Sequence, residues 1–82
     1  MITLTEQLRI YTIPTCSDCT YAKRYFNEHQ IPFTELNCEE NEFYAREVWD
    51  LTGKQIVPTI VINDKVFVGF AENLKEISEL LN

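Results

Sequence analysis

A pair of cysteines separated by two residues lies between a strand-like run and an amphipathic segment. The strand-like run Leu8–Thr12 ends shortly before the motif Cys-Ser-Asp-Cys at 16–19. After it, apolar or small residues recur at steps of three and four, which predicts a helix of about three turns over 17–29. At the first turn of a helix, two thiols with this spacing can form and open a small disulfide ring with little backbone movement. The motif therefore constrains both the order of the first elements and the chemistry of the chain.

The first cysteine, Cys16, is expected where a helix start favours a thiolate. Unpaired N–H groups and the positive end of the helix dipole stabilise negative charge there. The same spacing forms half of many zinc sites, but the only further ligands of zinc type are Cys38 and His29, with no second pair. Two buried reduced thiols are a third interpretation. The strand before the motif and the helix after it favour dithiol–disulfide exchange, with no metal site.

The composition predicts one small globular domain, 1–82, with a single site. Only two glycines and three prolines occur among the 82 residues, so no linker divides the chain. Thirteen acidic residues against seven basic ones give a formal net charge of −6, which disfavours nucleic acid or an anionic membrane as partner. The N-terminus lacks the features of a signal peptide, and three cysteines do not make a disulfide framework, so we expect a cytoplasmic protein.

The middle of the chain predicts a strand and a second helix. The run 33–37 alternates apolar and polar residues, as a half-buried strand does. Several glutamates follow where a helix dipole favours acids, and Gly53 is predicted to cap the helix end in the left-handed conformation. The apolar stripe of this helix is predicted to be Phe43, Tyr44, Val48 and Leu51.

The last third of the chain predicts a hairpin and a final helix. The run Thr59–Ile62 is almost wholly apolar and β-branched, which is typical of a central strand. Asn63 and Asp64 suggest a tight turn into a strand over 65–68, and the apolar positions of 71–81 predict a helix. Crossovers imply parallel pairing and the hairpin implies antiparallel pairing. The predicted fold is α/β, with a four-stranded mixed sheet flanked by helices.

With these features, nearly the whole chain resembles the glutaredoxins, which have a thioredoxin-like fold with the order β-α-β-α-β-β-α. The resemblance rests on the cysteine motif at 15–19, on the segment 51–58 before the central strand, and on Gly69 before the last helix. It implies an enzyme that reduces protein or small-molecule disulfides without a tightly bound cofactor. Cys16 would attack and form a mixed disulfide, and Cys19 would resolve it.

The resemblance also implies a surface beside the cysteines that binds a substrate peptide or glutathione. The Val57–Pro58 bond would be cis, turning the Val57 backbone outward. Gly69 would let the backbone approach a ligand, and the start of the last helix could receive a carboxylate. From the residues themselves, Tyr11, Ile13, Pro14 and Phe70 form either an apolar rim around Cys16 that would suit a protein partner or part of the core. The expected binding residues are Tyr11, Ile13, Val57, Pro58, Gly69, Phe70, Ala71 and Glu72.

The chain departs from glutathione-specific glutaredoxins in ways that leave its electron donor open. Ile13 and Gln55 stand where many members carry cations, and Phe70 stands where a second glycine is usual. The Gly69-Phe70 pair is similar to that of small redoxins reduced by thioredoxin reductase. The donor is therefore glutathione, as a co-substrate, or thioredoxin reductase. Asp18 suits the helix dipole but opposes a second negative charge on Cys16, so its net effect stays open.

An alternative function is that of an iron–sulfur cluster carrier, in which two glutaredoxin-type subunits share a cluster through the first cysteine and glutathione. The presence of both cysteines and the poor glutathione anchors disfavour this alternative. We therefore expect a monomer whose partners are disulfide substrates and an electron donor.

Overall fold

Four strands and three α-helices build the fold over residues 8–81, the part of the chain that the computed structural model describes. A short 3-10 turn, Ala71–Asn73, precedes the last helix. The strands are β1 (Leu8–Thr12), β2 (Thr34–Asn37), β3 (Thr59–Ile62) and β4 (Lys65–Val68). The helices are α1 (Ser17–Glu28), α2 (Glu42–Thr52) and α3 (Leu74–Leu81).

The sheet has the strand order β2-β1-β3-β4. β1 runs parallel to β2, whereas β3 runs antiparallel to both β1 and β4. All four residues of β3 are buried, as expected of a central strand rich in β-branched side chains. These features confirm the predicted thioredoxin-like fold with its mixed four-stranded sheet.

The register of the sheet brings three chain segments to one of its edges. Tyr11, near the end of β1, lies opposite Thr59 at the start of β3. Thr59 in turn lies opposite Val68 at the end of β4. The loop that leads to Cys16, the loop that ends at Pro58 and the segment that begins at Gly69 therefore meet at this edge.

Side-chain alternation along the strands gives the sheet two apolar faces. Ile10, Ile60 and Ile62 belong to the larger cluster, which also contains Phe26 of α1 and Ile77 of α3. The opposite face carries a smaller cluster of Tyr11, Val61 and Val48, the last from α2. The helices thus cover both faces of the sheet, and α1 and α3 share one of them.

The apolar stripe predicted for α2 is only partly correct. Val48 is buried and the half-buried Tyr44 packs against it, but Phe43 is 64% exposed and Leu51 is 40% exposed. Phe43 lies about 100° around the helix from Tyr44 and so points away from the sheet. Leu51, in the last turn, lies beside the exposed Arg9. A narrow line of contact therefore holds α2 to the sheet.

Two helix ends differ in how well the sequence predicted them. Gly53 caps α2 in the left-handed conformation, with φ of 74° and its N–H donating to the Trp49 carbonyl at 2.7 Å, as predicted. The predicted helix 71–81 instead begins as the 3-10 turn, where the Asn73 side-chain amide donates to the carbonyls of Val68 and Gly69.

In residues 8–81, no helix combines the length and apolarity that a membrane crossing requires.

Candidate active site

The two cysteines of the motif are bonded to each other at the start of α1. Their sulfurs form a disulfide, and their Cα atoms are 5.2 Å apart, within the usual range for such a bond. Cys16 is the N-cap of α1, and its Sγ accepts the Cys19 N–H at 3.0 Å. Cys16 is half-buried, whereas Cys19 is 1% exposed. An attacking group from solvent or substrate therefore reaches Cys16 and not Cys19.

The loop that ends in Pro58 lies at the same edge of the sheet as the loop that leads to Cys16, and it presents free backbone groups. The Val57–Pro58 peptide bond is cis. Pro58 is buried and its carbonyl accepts the Gly69 N–H at 2.8 Å, which ties the loop to the segment after β4. Within residues 8–81, the backbone N–H and C=O of Val57 form no hydrogen bond. These two groups are therefore available to an extended peptide.

A small cavity of about 130 Å³ opens next to Val57. Most of its wall consists of aliphatic side chains from the loop before Cys16, the loop before Pro58 and α2. The third cysteine, Cys38, also lines it. A space of this size could hold one apolar side chain. The lining residues are Ile13, Cys38, Ala45, Val48, Gln55, Ile56 and Val57.

Asp18, between the two cysteines, contacts the segment that follows β4. Its carboxylate accepts the Phe70 N–H at 2.9 Å and the Ala71 N–H at 3.2 Å. The sequence suggested only a local electrostatic role for Asp18, because bonds across 52 and 53 residues leave no local pattern. A ligand carboxylate was expected at the start of the last helix, and Asp18 holds these N–H groups instead.

Gly69 has a structural reason to be glycine within the chain itself. Its φ is 91°, and a Cβ there would lie 2.7 Å from Oε1 of Glu72. Both backbone groups of Gly69 are bonded, its N–H to Pro58 and its C=O to the Asn73 side-chain amide. The Glu72 side chain thus lies close to Gly69, and the expected approach of a ligand to the Gly69 backbone stays a prediction.

Two side chains of the proposed apolar rim, Tyr11 and Phe70, are buried and belong to the core instead. Phe70 is 0% exposed, and its ring centre lies 5.2 Å from that of Tyr21 and 5.5 Å from that of Phe26. Tyr11 is 1% exposed and its hydroxyl donates to Glu47 at 3.0 Å. Burial, reinforced by Glu47, raises the pKa of Tyr11 to about 12. Only Ile13 and Pro14 of this set are accessible.

The remaining thiol, Cys38, is a free, half-buried side chain on the α2 side of the sheet. Burial raises the pKa of this thiol above its usual value, and the nearby Glu47 carboxylate raises it further. Its Sγ lies 4.0 Å from the Leu36 carbonyl. Within residues 8–81, no group of three or more histidine, cysteine and acidic side chains is arranged to hold a metal ion.

An accessible cysteine bonded to a buried one at a helix start, on a thioredoxin-like fold, defines a thiol–disulfide oxidoreductase. Comparison with known proteins agrees with this class. A glutaredoxin family model matches residues 8–67. The chain belongs to the glutaredoxin family.

Similar proteins cover nearly the same length. A glutaredoxin-like 8.6 kDa protein in the rubredoxin operon of Clostridium pasteurianum is 32% identical over 74 residues, 90% of this chain and 96% of that protein. The glutaredoxin-like protein NrdH of Lactococcus lactis subsp. cremoris is 31% identical over 61 residues, 74% of this chain and 83% of that protein. The solved glutaredoxin-like NrdH-redoxin of Escherichia coli has a TM-score of 0.71 at 22% identity, covering 87% of this chain and 92% of that one.

The different settings of Cys16 and Cys38 predict different reactivity in the reduced protein. The helix start favours the Cys16 thiolate, whereas the raised pKa of Cys38 leaves less thiolate at neutral pH. In the Cys19→Ser variant, limiting iodoacetamide at neutral pH should therefore alkylate Cys16 first. Cys38 should react only as the pH rises. Mass spectrometry of tryptic peptides separates the two sites, and equal labelling at neutral pH would contradict the prediction.

Proposed function

We propose that this protein reduces disulfides of protein or small-molecule substrates through Cys16 and Cys19. The observation that carries the proposal is the accessible Cys16 at the N-cap of α1, in bonding distance of the buried Cys19. The N–H of Cys19, which points at Cys16 Sγ, stabilises negative charge on that sulfur. Cys16 is thus the nucleophile and Cys19 the resolving thiol.

The reaction proceeds by two exchanges between sulfurs. The Cys16 thiolate attacks one sulfur of the substrate disulfide, whose S–S bond breaks, and the first substrate thiolate leaves and takes up a proton. Cys19 then loses its proton and attacks Cys16 Sγ, which releases the second substrate thiolate. The substrate has gained two electrons, and the Cys16–Cys19 disulfide has formed. An external donor returns two electrons and two protons to the pair.

Substrate binding uses the backbone of Val57 and the cavity beside it. An extended peptide can pair with the free N–H and C=O of Val57, as peptides do along exposed strand edges. One apolar side chain of that peptide enters the cavity of about 130 Å³. Ile13 and the exposed Pro14 precede Cys16 by three and two residues and supply further apolar contact.

The electron donor in this proposal is thioredoxin reductase, with glutathione as a poor substitute. Neither Ile13 nor Gln55 provides a cation for a glutathione carboxylate, and the Gln55 side-chain amide donates to the Ala45 carbonyl at 3.1 Å. The solved NrdH-redoxin of Escherichia coli is described as having a thioredoxin-like activity profile. Such chemistry belongs in a reducing compartment, and we assign the protein to the cytoplasm as a monomer.

Substitution of each cysteine tests the assigned order of attack. Cys16→Ser should abolish reduction of a model disulfide such as insulin, because no other residue supplies a thiolate at a helix start. Cys19→Ser should accumulate mixed disulfides with protein substrates, visible by mass spectrometry. Cys38→Ser, the matched control, should keep wild-type activity. Residual activity of Cys16→Ser, or a brown dimeric protein after purification without oxygen, would count against the proposal.

A double variant that places cations at positions 13 and 55 tests the choice of electron donor. The double variant Ile13→Lys with Gln55→Arg should tighten the apparent affinity for glutathione by about tenfold, or roughly 1.4 kcal/mol, since each cation returns a carboxylate contact. The uncharged pair Ile13→Met with Gln55→Met is the control and should not. The assay couples NADPH oxidation to glutathione and glutathione reductase, with thioredoxin reductase in a parallel arm. Efficient turnover of the wild type with glutathione would overturn the donor assignment.

A further inference from the structure

Asp18 fills a position that would otherwise attract an anion. The N–H groups of Phe70 and Ala71 point out of the segment between Gly69 and α3, and neither bonds a backbone carbonyl. Both instead donate to the Asp18 carboxylate, at 2.9 Å for Phe70 and at 3.2 and 3.4 Å for Ala71. The chain therefore supplies its own carboxylate to these N–H groups, from the first turn of α1.

This arrangement opposes a second carboxylate at the same place. A ligand carboxylate would have to displace Asp18 from the two N–H groups or lie next to it, and like charges at such separations repel. Glu72 adds a second negative charge, because its Oε1 lies 2.7 Å from where a Cβ of Gly69 would be. The two donors are thus occupied, and their surroundings are acidic.

We propose that Asp18 is a specificity-determining residue that selects against small thiols and disulfides whose carboxylate reaches the N–H groups of Phe70 and Ala71. Uncharged and cationic disulfides, and protein partners that approach through Val57, meet no such barrier. The proposal rests on the disulfide exchange at Cys16 described above and adds to it the charge of the accepted substrate. This role of Asp18 is separate from the absence of cations at positions 13 and 55. Asp18 acts by occupying the N–H groups of Phe70 and Ala71, which could otherwise bind a carboxylate.

Three disulfides of different charge separate this role from a general loss of activity. Glutathione disulfide is anionic, hydroxyethyl disulfide is neutral and cystamine is cationic. Asp18→Asn keeps one side-chain oxygen for the N–H groups but removes the charge, whereas Asp18→Ala removes both. Glu28→Gln, at the far end of α1 and about 15 Å away along the helix, removes one charge without touching the site.

The ratio of kcat/KM for glutathione disulfide to that for hydroxyethyl disulfide should rise about tenfold in Asp18→Ala, less in Asp18→Asn, and not in Glu28→Gln. The ratio of kcat/KM for cystamine to that for hydroxyethyl disulfide should fall in both Asp18 variants, because the Asp18 carboxylate attracts the ammonium groups of cystamine. Because each ratio is taken within one protein preparation, a partly unfolded variant does not distort it. Unchanged ratios in both Asp18 variants would overturn the proposal.

The second test measures the binding of a glutathione analogue that cannot take part in disulfide exchange. S-methylglutathione has the carboxylates of glutathione but no free thiol, so calorimetry reports only its binding. Asp18→Ala should bind it at least about tenfold more tightly than the wild type does, and equal affinities would overturn the proposal. A wild-type protein that fails to reduce hydroxyethyl disulfide would refute the proposed function instead, while this binding comparison would still decide the role of Asp18.

Discussion

The bond between the Asp18 carboxylate and the N–H groups of Phe70 and Ala71 joins the first turn of α1 to the segment ahead of α3. The Gly69 N–H, bonded to the Pro58 carbonyl, joins the same segment to the loop before β3. Hydrogen bonds to a charged group contribute about 1.5–3 kcal/mol when well formed, and less where water competes. The two N–H bonds to Asp18 and the Gly69 bond to Pro58 together link three distant segments around one pair of sulfurs.

The segment after β4 is held from both sides. From the interior, the Phe70 ring packs among the aromatic side chains of α1, including Tyr25 and Phe26. From the surface, Asp18 holds the backbone N–H groups of the same residue and its neighbour. A single residue, Phe70, therefore anchors the core with its side chain and the active site with its backbone. This coupling explains why Phe70 cannot also serve as an exposed contact for a partner.

Local sequence patterns predicted most of the fold but little of the tertiary detail at the site. The apolar β-branched run of β3, the cap at Gly53 and the cysteine spacing each act over a few residues, so the sequence alone reveals them. The burial of Tyr11 and the exposure of Phe43 depend on which distant element covers a face, and periodicity does not report that. The partners of Asp18 lie more than fifty residues away, so no local pattern could name them.

Hydrogen exchange at two backbone amides tests most directly whether Asp18 holds the site together. An amide exchanges only when its hydrogen bond opens, so each additional 1.4 kcal/mol of opening free energy slows its exchange about tenfold. The Phe70 and Ala71 amides of the wild-type protein should exchange at least about tenfold more slowly than those of Asp18→Ala, a difference of roughly 1.4 kcal/mol. The Glu28→Gln protein should match the wild type. Equal exchange rates at both amides in the wild type and in Asp18→Ala would show that Asp18 does not hold this segment.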